Sequence, residues 1–143
     1  MKRLLLIIMV FGFANLSQAQ TKEETIAWIK EKLEMYGGKD NTGDSSIDHD
    51  VNVSPCKISF TEKYSDGTEV KRNFNPSHVK SWEVSSNKRY LIADAKIIQS
   101  FYPTNNKDNV ETLSIKNGEP DIHERMIKAL LHLATFCGKN ETF

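Results

Sequence analysis

"CKISFTEKYSDGTEVKRNF", Cys56 to Phe74, is the stretch whose reading decides the fold. Its apolar residues recur with a period of two. Cys56, Ile58, Phe60 and Tyr64 fall on one side, and Lys57, Ser59, Thr61 and Lys63 on the other. A strand sends successive side chains to opposite faces, so the alternation describes a strand with one buried and one wet face. "SDGT" supplies an Asp-Gly turn, and "EVKRNF" returns with Val70 and Phe74 on one face. The stretch predicts a two-faced antiparallel hairpin with Gly67 at positive φ.

Downstream, Asn75-Pro76 breaks the hairpin. "VKSWEV" reads as a strand with Trp82 and Val84 on one face, and "SSNKR" as a turn. "YLIADAKIIQSFY" is an apolar run that makes one long bent strand or two. Pro103 and "TNNKDN" end it, "VETLSIK" is the last strand, and "NGEPD" turns into a final helix. Upstream, Thr21 and Glu24 of "TKEE" form a capping box. Ile26, Ile29, Leu33 and Tyr36 then share one helical face, and Gly37-Gly38 stops the helix, predicted over 22–36. "GGKDNTGDSSIDHD" gathers Asp40, Asp44, Asp48, His49 and Asp50, but lacks the ligand spacing of a calcium loop and reads as a solvated connection. The expected fold is α+β: an antiparallel meander sheet or partly open barrel of five to six strands. An N-terminal and a C-terminal helix pack on it.

The final helix, "ERMIKALLHLATFCG", carries a histidine and a cysteine five residues apart. At 3.6 residues per turn, Ile122, Met126, Leu130, Leu133, Ala134 and Cys137 fall on one side. His132 points roughly 140° away from Cys137 and cannot be its base. His123 falls on the apolar side, in the first turn, with Asp121 as the expected N-cap. His132 is expected at the surface and His123 as a packing residue at the rim. Cys137 at the centre of an apolar stripe is a disulfide partner for Cys56 or a buried thiol, since a reactive cysteine needs exposure and positive surroundings. The bond to Cys56 is the expectation.

"MKRLLLIIMVFGFANLSQAQ" reads as a secretory signal peptide over residues 1–19: a basic start, an apolar run from Leu4 to Phe13, and Ser17 and Ala19 before the cleavage point. That run is shorter than the ~20 residues a spanning helix needs. Residues 20–143 then form one domain, periplasmic or secreted, with no membrane span after processing. Two cysteines in an exported chain favour one disulfide. Without Lys2 and Arg3 the chain has two more acidic than basic residues, which gives no field for nucleic acid. "NET" at Asn140 matches the glycosylation pattern by chance.

No nucleophile elbow, zinc-protease helix, paired-cysteine motif or phosphate-binding glycine loop occurs in the sequence. No cofactor and no metal are expected. The leading expectation is a monomeric, non-catalytic binding or accessory domain for an unknown protein or small ligand. Its binding surface would be the loops at the strand ends or an uncovered sheet face, with Trp82 and His78 as candidates. A small-molecule or lipid carrier with a sheet–helix cavity is the second reading. A hydrolase built on His78, Asp94 and Glu83 is the third, because catalytic groups converge in space rather than in sequence.

The terminal "KALLHLATFCGKNETF" with the preceding "DIHERM" resembles the last helix of small, uncharacterised exported proteins of Gram-negative bacteria. The resemblance rests on Ala129, His132-Leu133, Cys137-Gly138 and Phe143, and implies no activity. The order of strands then helix also resembles pleckstrin-homology-like domains, which implies a helix-capped barrel. The basic phosphoinositide loop of that family is missing, since "SDGT" is flanked by Lys63 and Lys71 only.

Overall fold

The computed structural model describes residues 21–38, 45–47 and 50–138. The chain order is α1 (Lys22–Tyr36), β1 (Ser45–Ile47), β2 (Asn52–Ser54), β3 (Lys57–Tyr64), β4 (Glu69–Phe74), a 3-10 turn (Pro76–His78), β5 (Trp82–Val84), β6 (Tyr90–Ala93), β7 (Ile98–Phe101), β8 (Lys107–Val110), β9 (Thr112–Ser114) and α2 (Ile122–Ala134). Residues 1–20, the residues from Lys39 to Asp44, Asp48, His49, Asn140 and Phe143 lie outside the described residues, and so do the expectations placed on them.

The hairpin forms as its alternation dictates. β3 pairs β4 antiparallel, with Ile58 opposite Phe74 and Lys63 opposite Glu69. Gly67 holds φ +85°, its N–H donates to Tyr64 O at 2.9 Å, and Tyr64 N–H donates to Thr68 O at 2.8 Å. That is a three-residue loop closed by a left-handed glycine. Asp66 Oδ1 accepts from Thr68 N–H at 2.8 Å, and this bond holds the Asp66 carboxyl below its usual pKa.

Around the hairpin, strands run β1-β3-β4-β7-β8, and β2 joins the same edge of β3 as β1. The eight residues of β3 allow this: β2 pairs its first half and β1 its second. A separate sheet runs β5-β6-β9. The expected α+β fold, antiparallel strands with a helix before and a helix after them, is present; the strands, nine among the described residues rather than five to six, divide between two open antiparallel sheets and do not form a closed barrel. "YLIADAKIIQSFY" is where the single-sheet reading fails. The Ile97 N–H donates to Ala95 O at 2.9 Å in a tight turn, which cuts the run into β6 and β7 and sends them to different sheets.

One apolar cluster holds both sheets and both helices. Ile58, Phe60, Phe74 and Ile98 come from the larger sheet, and Leu91 and Leu113 from the smaller. Ile29 and Leu33 of α1 and Met126, Leu130 and Leu133 of α2 complete it. Phe74 meets Trp82 edge-on, centroids 5.8 Å apart, where the chain crosses from one sheet to the other. α1 starts with the expected capping box: Glu24 N–H donates to Thr21 Oγ1 at 3.2 Å and Thr21 N–H to Glu24 Oε2 at 2.9 Å. Its far end is hooked to β9, with Gly38 N–H donating to Ser114 O at 2.9 Å and Lys116 N–H to Tyr36 O at 2.7 Å. Gly118 lies so close to the Tyr36 ring that a Cβ there would overlap it.

α2 differs from expectation at both ends. Asp121 is the N-cap the sequence suggested, and its carbonyl accepts from Arg125 N–H at 2.9 Å, but it holds φ 57° and its side chain makes no cap bond. The last turn tightens: Thr135, Phe136 and Cys137 N–H donate three residues back, to His132, Leu133 and Ala134. The Cys56–Cys137 disulfide forms, with Cα atoms 4.9 Å apart, and ties the end of α2 to the start of β3. A structural disulfide points to an oxidising, extracytoplasmic compartment. Among the described residues no helix is long and apolar enough to cross a membrane.

Candidate functional site

The inner face of the larger sheet is apolar at one end and polar at the other. Arg72 Nε donates to Glu62 Oε2 at 2.7 Å, Arg72 Nη1 to Ser100 Oγ at 2.8 Å, and Tyr64 OH to the same Glu62 oxygen at 3.2 Å. Glu62 is 2% exposed and Ser100 fully buried. Burial opposes the Arg72 charge, but the Glu62 carboxylate outweighs it and the guanidinium pKa stays above its usual value. Burial, then the Glu62 charge, pushes the Tyr64 phenol up. Both shifts lead away from neutral pH, whereas acid–base catalysis needs a pKa near it. The cluster is a buried tie across β3, β4 and β7, costly to leave half-paired.

A second polar cluster joins α1 to the turn before α2. Glu119 Oε1 accepts from Lys32 Nζ at 2.6 Å and Tyr36 OH at 3.0 Å, and Oε2 from Arg125 Nη1 at 3.0 Å. The Lys32 and Tyr36 bonds lower the Glu119 pKa, and the Glu119 bond raises those of Lys32 and Tyr36. The carboxylate is saturated with donors. Arg125 also lies over the Trp28 ring, 5.2 Å from its centroid, so the cluster clasps the two helices.

The residues singled out in the sequence scatter. Trp82 is 7% exposed, packed in the core, and its buried indole N–H has no partner among the described residues. It cannot present an aromatic surface, which corrects that expectation. The reason is register: Trp82 sits opposite Ala93 on the inner face of the smaller sheet. His78 is exposed in the 3-10 turn, its Nε2 3.5 Å from Asn75 Nδ2. Asp94 Oδ1 accepts from Lys80 N–H at 3.1 Å, which fixes a turn, and Glu83 is exposed on the face of β5 opposite to Trp82. His123 is buried and its Nε2–H donates to Ile115 O at 3.0 Å, a structural bond from α2 to the end of the small sheet. His132 meets the Phe136 ring edge-on at 5.0 Å. Among the described residues no group of three His, Cys, Asp or Glu could hold a metal.

The outer face of the larger sheet is the arrangement that single residues did not reveal. Register places Asn52 opposite Ser59, Ser59 opposite Asn73, Asn73 opposite Gln99, and Gln99 opposite Asn109. Directly paired residues share a face, so five amide or hydroxyl side chains form one row across β2, β3, β4, β7 and β8. The next row is Thr61, Lys71, Phe101 and Lys107. Ser59, Asn73 and Gln99 make no side-chain hydrogen bond, and Lys57 and Lys71 no ion pair, among the described residues. Phe101 is 37% exposed, and Lys107 Nζ lies 5.4 Å from its ring centroid. An open groove of about 340 Å³ runs over this face past Ser59, Lys71, Asn73 and Phe101. A second, of about 390 Å³, adjoins it at Asn52, Lys57 and Ser59. Asparagine is disfavoured in strands, so a row holding three of them is not there for the sheet.

No protein-family model, no curated protein and no solved structure matches this chain significantly.

Proposed function

We propose that the protein is a non-catalytic binding module of the periplasm or cell exterior, and that the outer face of the larger sheet is its binding surface. One observation carries this reading: five polar side chains, one from each of five paired strands, and one exposed phenylalanine share a face, and open grooves run over its β2, β3 and β4 part as far as Phe101. A wet outer face is ordinary for an antiparallel sheet. A row whose central side chains, Ser59, Asn73 and Gln99, make no hydrogen bond among the described residues, beside an exposed aromatic ring, is not. The disulfide and the leader-like start of the chain support export.

Cosedimentation with the insoluble envelope fraction of the cell tests the reading. The wild-type protein should sediment with it, and a variant carrying Asn73→Ala, Gln99→Ala and Phe101→Ala should stay in the supernatant while keeping its thermal midpoint. Equal sedimentation of the two proteins, or none of either, would count against this face as a binding surface.

A further inference from the structure

We infer that this face binds a linear, carboxylate-bearing polysaccharide laid across the strands along the amide row; the inference rests on the binding-module reading above. Three features point to that ligand. The first is spacing. Adjacent strands are ~4.8 Å apart, close to the repeat of an extended pyranose chain, so successive sugars meet successive strands. Asn52, Ser59, Asn73, Gln99 and Asn109 then meet the sugars in turn. Each amide offers an acceptor oxygen and a two-hydrogen donor, which suits vicinal hydroxyls that both give and take hydrogen bonds.

The second feature is Phe101, exposed in the flanking row between Lys71 and Lys107. The C–H face of a pyranose packs on the negative face of an aromatic ring. The third is charge. Lys57, Lys71 and Lys107 are exposed on this face, Glu69 faces Lys63 at 3.4 Å, and Asp50 lines the groove beside Lys57, so the face carries four ammonium groups against two carboxylates. Lys71 and Lys107 stand two strands apart, which matches acidic groups on alternate sugars. Bidentate phosphate recognition favours arginine, and Arg72, the arginine of these strands, turns inward to Glu62.

Other macromolecules fit less well. Single-stranded nucleic acid needs several stacking rings, and this face has one. A membrane surface calls for an apolar stripe, and a protein interface for a core poor in lysine and serine.

Affinity electrophoresis of the protein purified from cells expressing the full chain, in gels containing polygalacturonate, alginate or hyaluronate, tests the inference. Dextran is the neutral control, and dextran sulfate and single-stranded DNA are the charge controls. At least one uronate polymer should retard the protein, more strongly than all three controls. Asn73→Ala/Gln99→Ala, Phe101→Ala and Lys71→Ala/Lys107→Ala should each weaken the retardation about tenfold or more. Their circular dichroism and thermal midpoints should match the wild type. The inference falls if no uronate polymer retards the protein, if the charge controls retard it as strongly, or if the variants are retarded like the wild type. Should it fall while envelope cosedimentation still depends on Phe101, the ligand class is wrong and the binding surface stands.

Discussion

The two faces of the larger sheet are made from the same strands, alternate residues going to each. On the inner face Ile58, Phe74 and Ile98 are 0%, 3% and 0% exposed and belong to the single core. On the outer face Ser59, Asn73 and Gln99, one step along the same strands, are partly exposed and their side chains make no hydrogen bond among the described residues. The difference teaches that a period of two separates stability from recognition within a single ladder. Substitutions that respect the separation should change one property and leave the other.

The largest effect belongs to the inner face. Ile58→Ala deletes buried side-chain carbons from the single apolar core and should cost about 2–5 kcal/mol, read from the urea midpoint. A cost under ~1 kcal/mol would mean that the inner face is not the core. Next is the disulfide that fastens α2 to the edge of that face. Replacing both Cys56 and Cys137 by serine frees a loop with a sequence separation of 81 and should cost about 2–5 kcal/mol. Equal stability of the oxidised and reduced wild-type protein would break this expectation.

Gly67 belongs to neither face. It lets β4 return beside β3 with the faces in phase. A Cβ at Gly67 meets nothing within 4 Å, so Gly67→Val acts through its φ of +85° alone. It should cost about 1–3 kcal/mol by denaturant titration, and Gly67→Asn should cost less, because asparagine tolerates that conformation. Similar costs for both would show that strain at this position is not the cause.

Much of the inner face was legible in the sequence, and little of the outer face was. "KISFTEKY" and "EVKRNF" announce their buried residues by alternation, and the stripe on α2 put Cys137 on the side from which it reaches Cys56. Three-residue strands such as β5 and β9 give too few alternations to count, so the second sheet was missed and Trp82 was assigned to a surface. The amide row comes from five separate strands. Its alignment depends on register between segments up to Asn109, and register is a property of pairing that no single segment carries. The signal that was present is compositional: asparagines inside strand-like segments, where propensity disfavours them.

A polar cluster that does stabilise sharpens the contrast with the open row. Glu119 is lowered in pKa by its bonds to Lys32 and Tyr36, so its folded value lies below its unfolded one. Its contribution is therefore present above about pH 4.5 and lost as pH falls through the folded value. Lys32 is raised, so its contribution is present below about pH 10.5 and lost at higher pH. Glu119→Gln should lower stability between these limits and converge with the wild type in acid. The effect should be smaller than those above, because solvent screens the cluster. A stability difference that persists unchanged in acid would show that the carboxylate charge is not what the clasp uses.

The smallest expected effect is the sharpest test of the comparison. Asn73→Ala with Gln99→Ala removes the centre of the outer row. Among the described residues neither side chain has a hydrogen-bond partner to lose, and both asparagine and alanine are poor strand formers. The double variant should therefore unfold within ~0.5 kcal/mol of the wild type. Ile58→Ala lies on the adjacent inner position of β3, so the two experiments probe opposite sides of the same few ångströms of sheet. If the outer pair costs as much as the inner residue, its amides support the fold and the face is structural. If stability holds while retention on envelope or polysaccharide is lost, the strands carry two independent properties on their two faces.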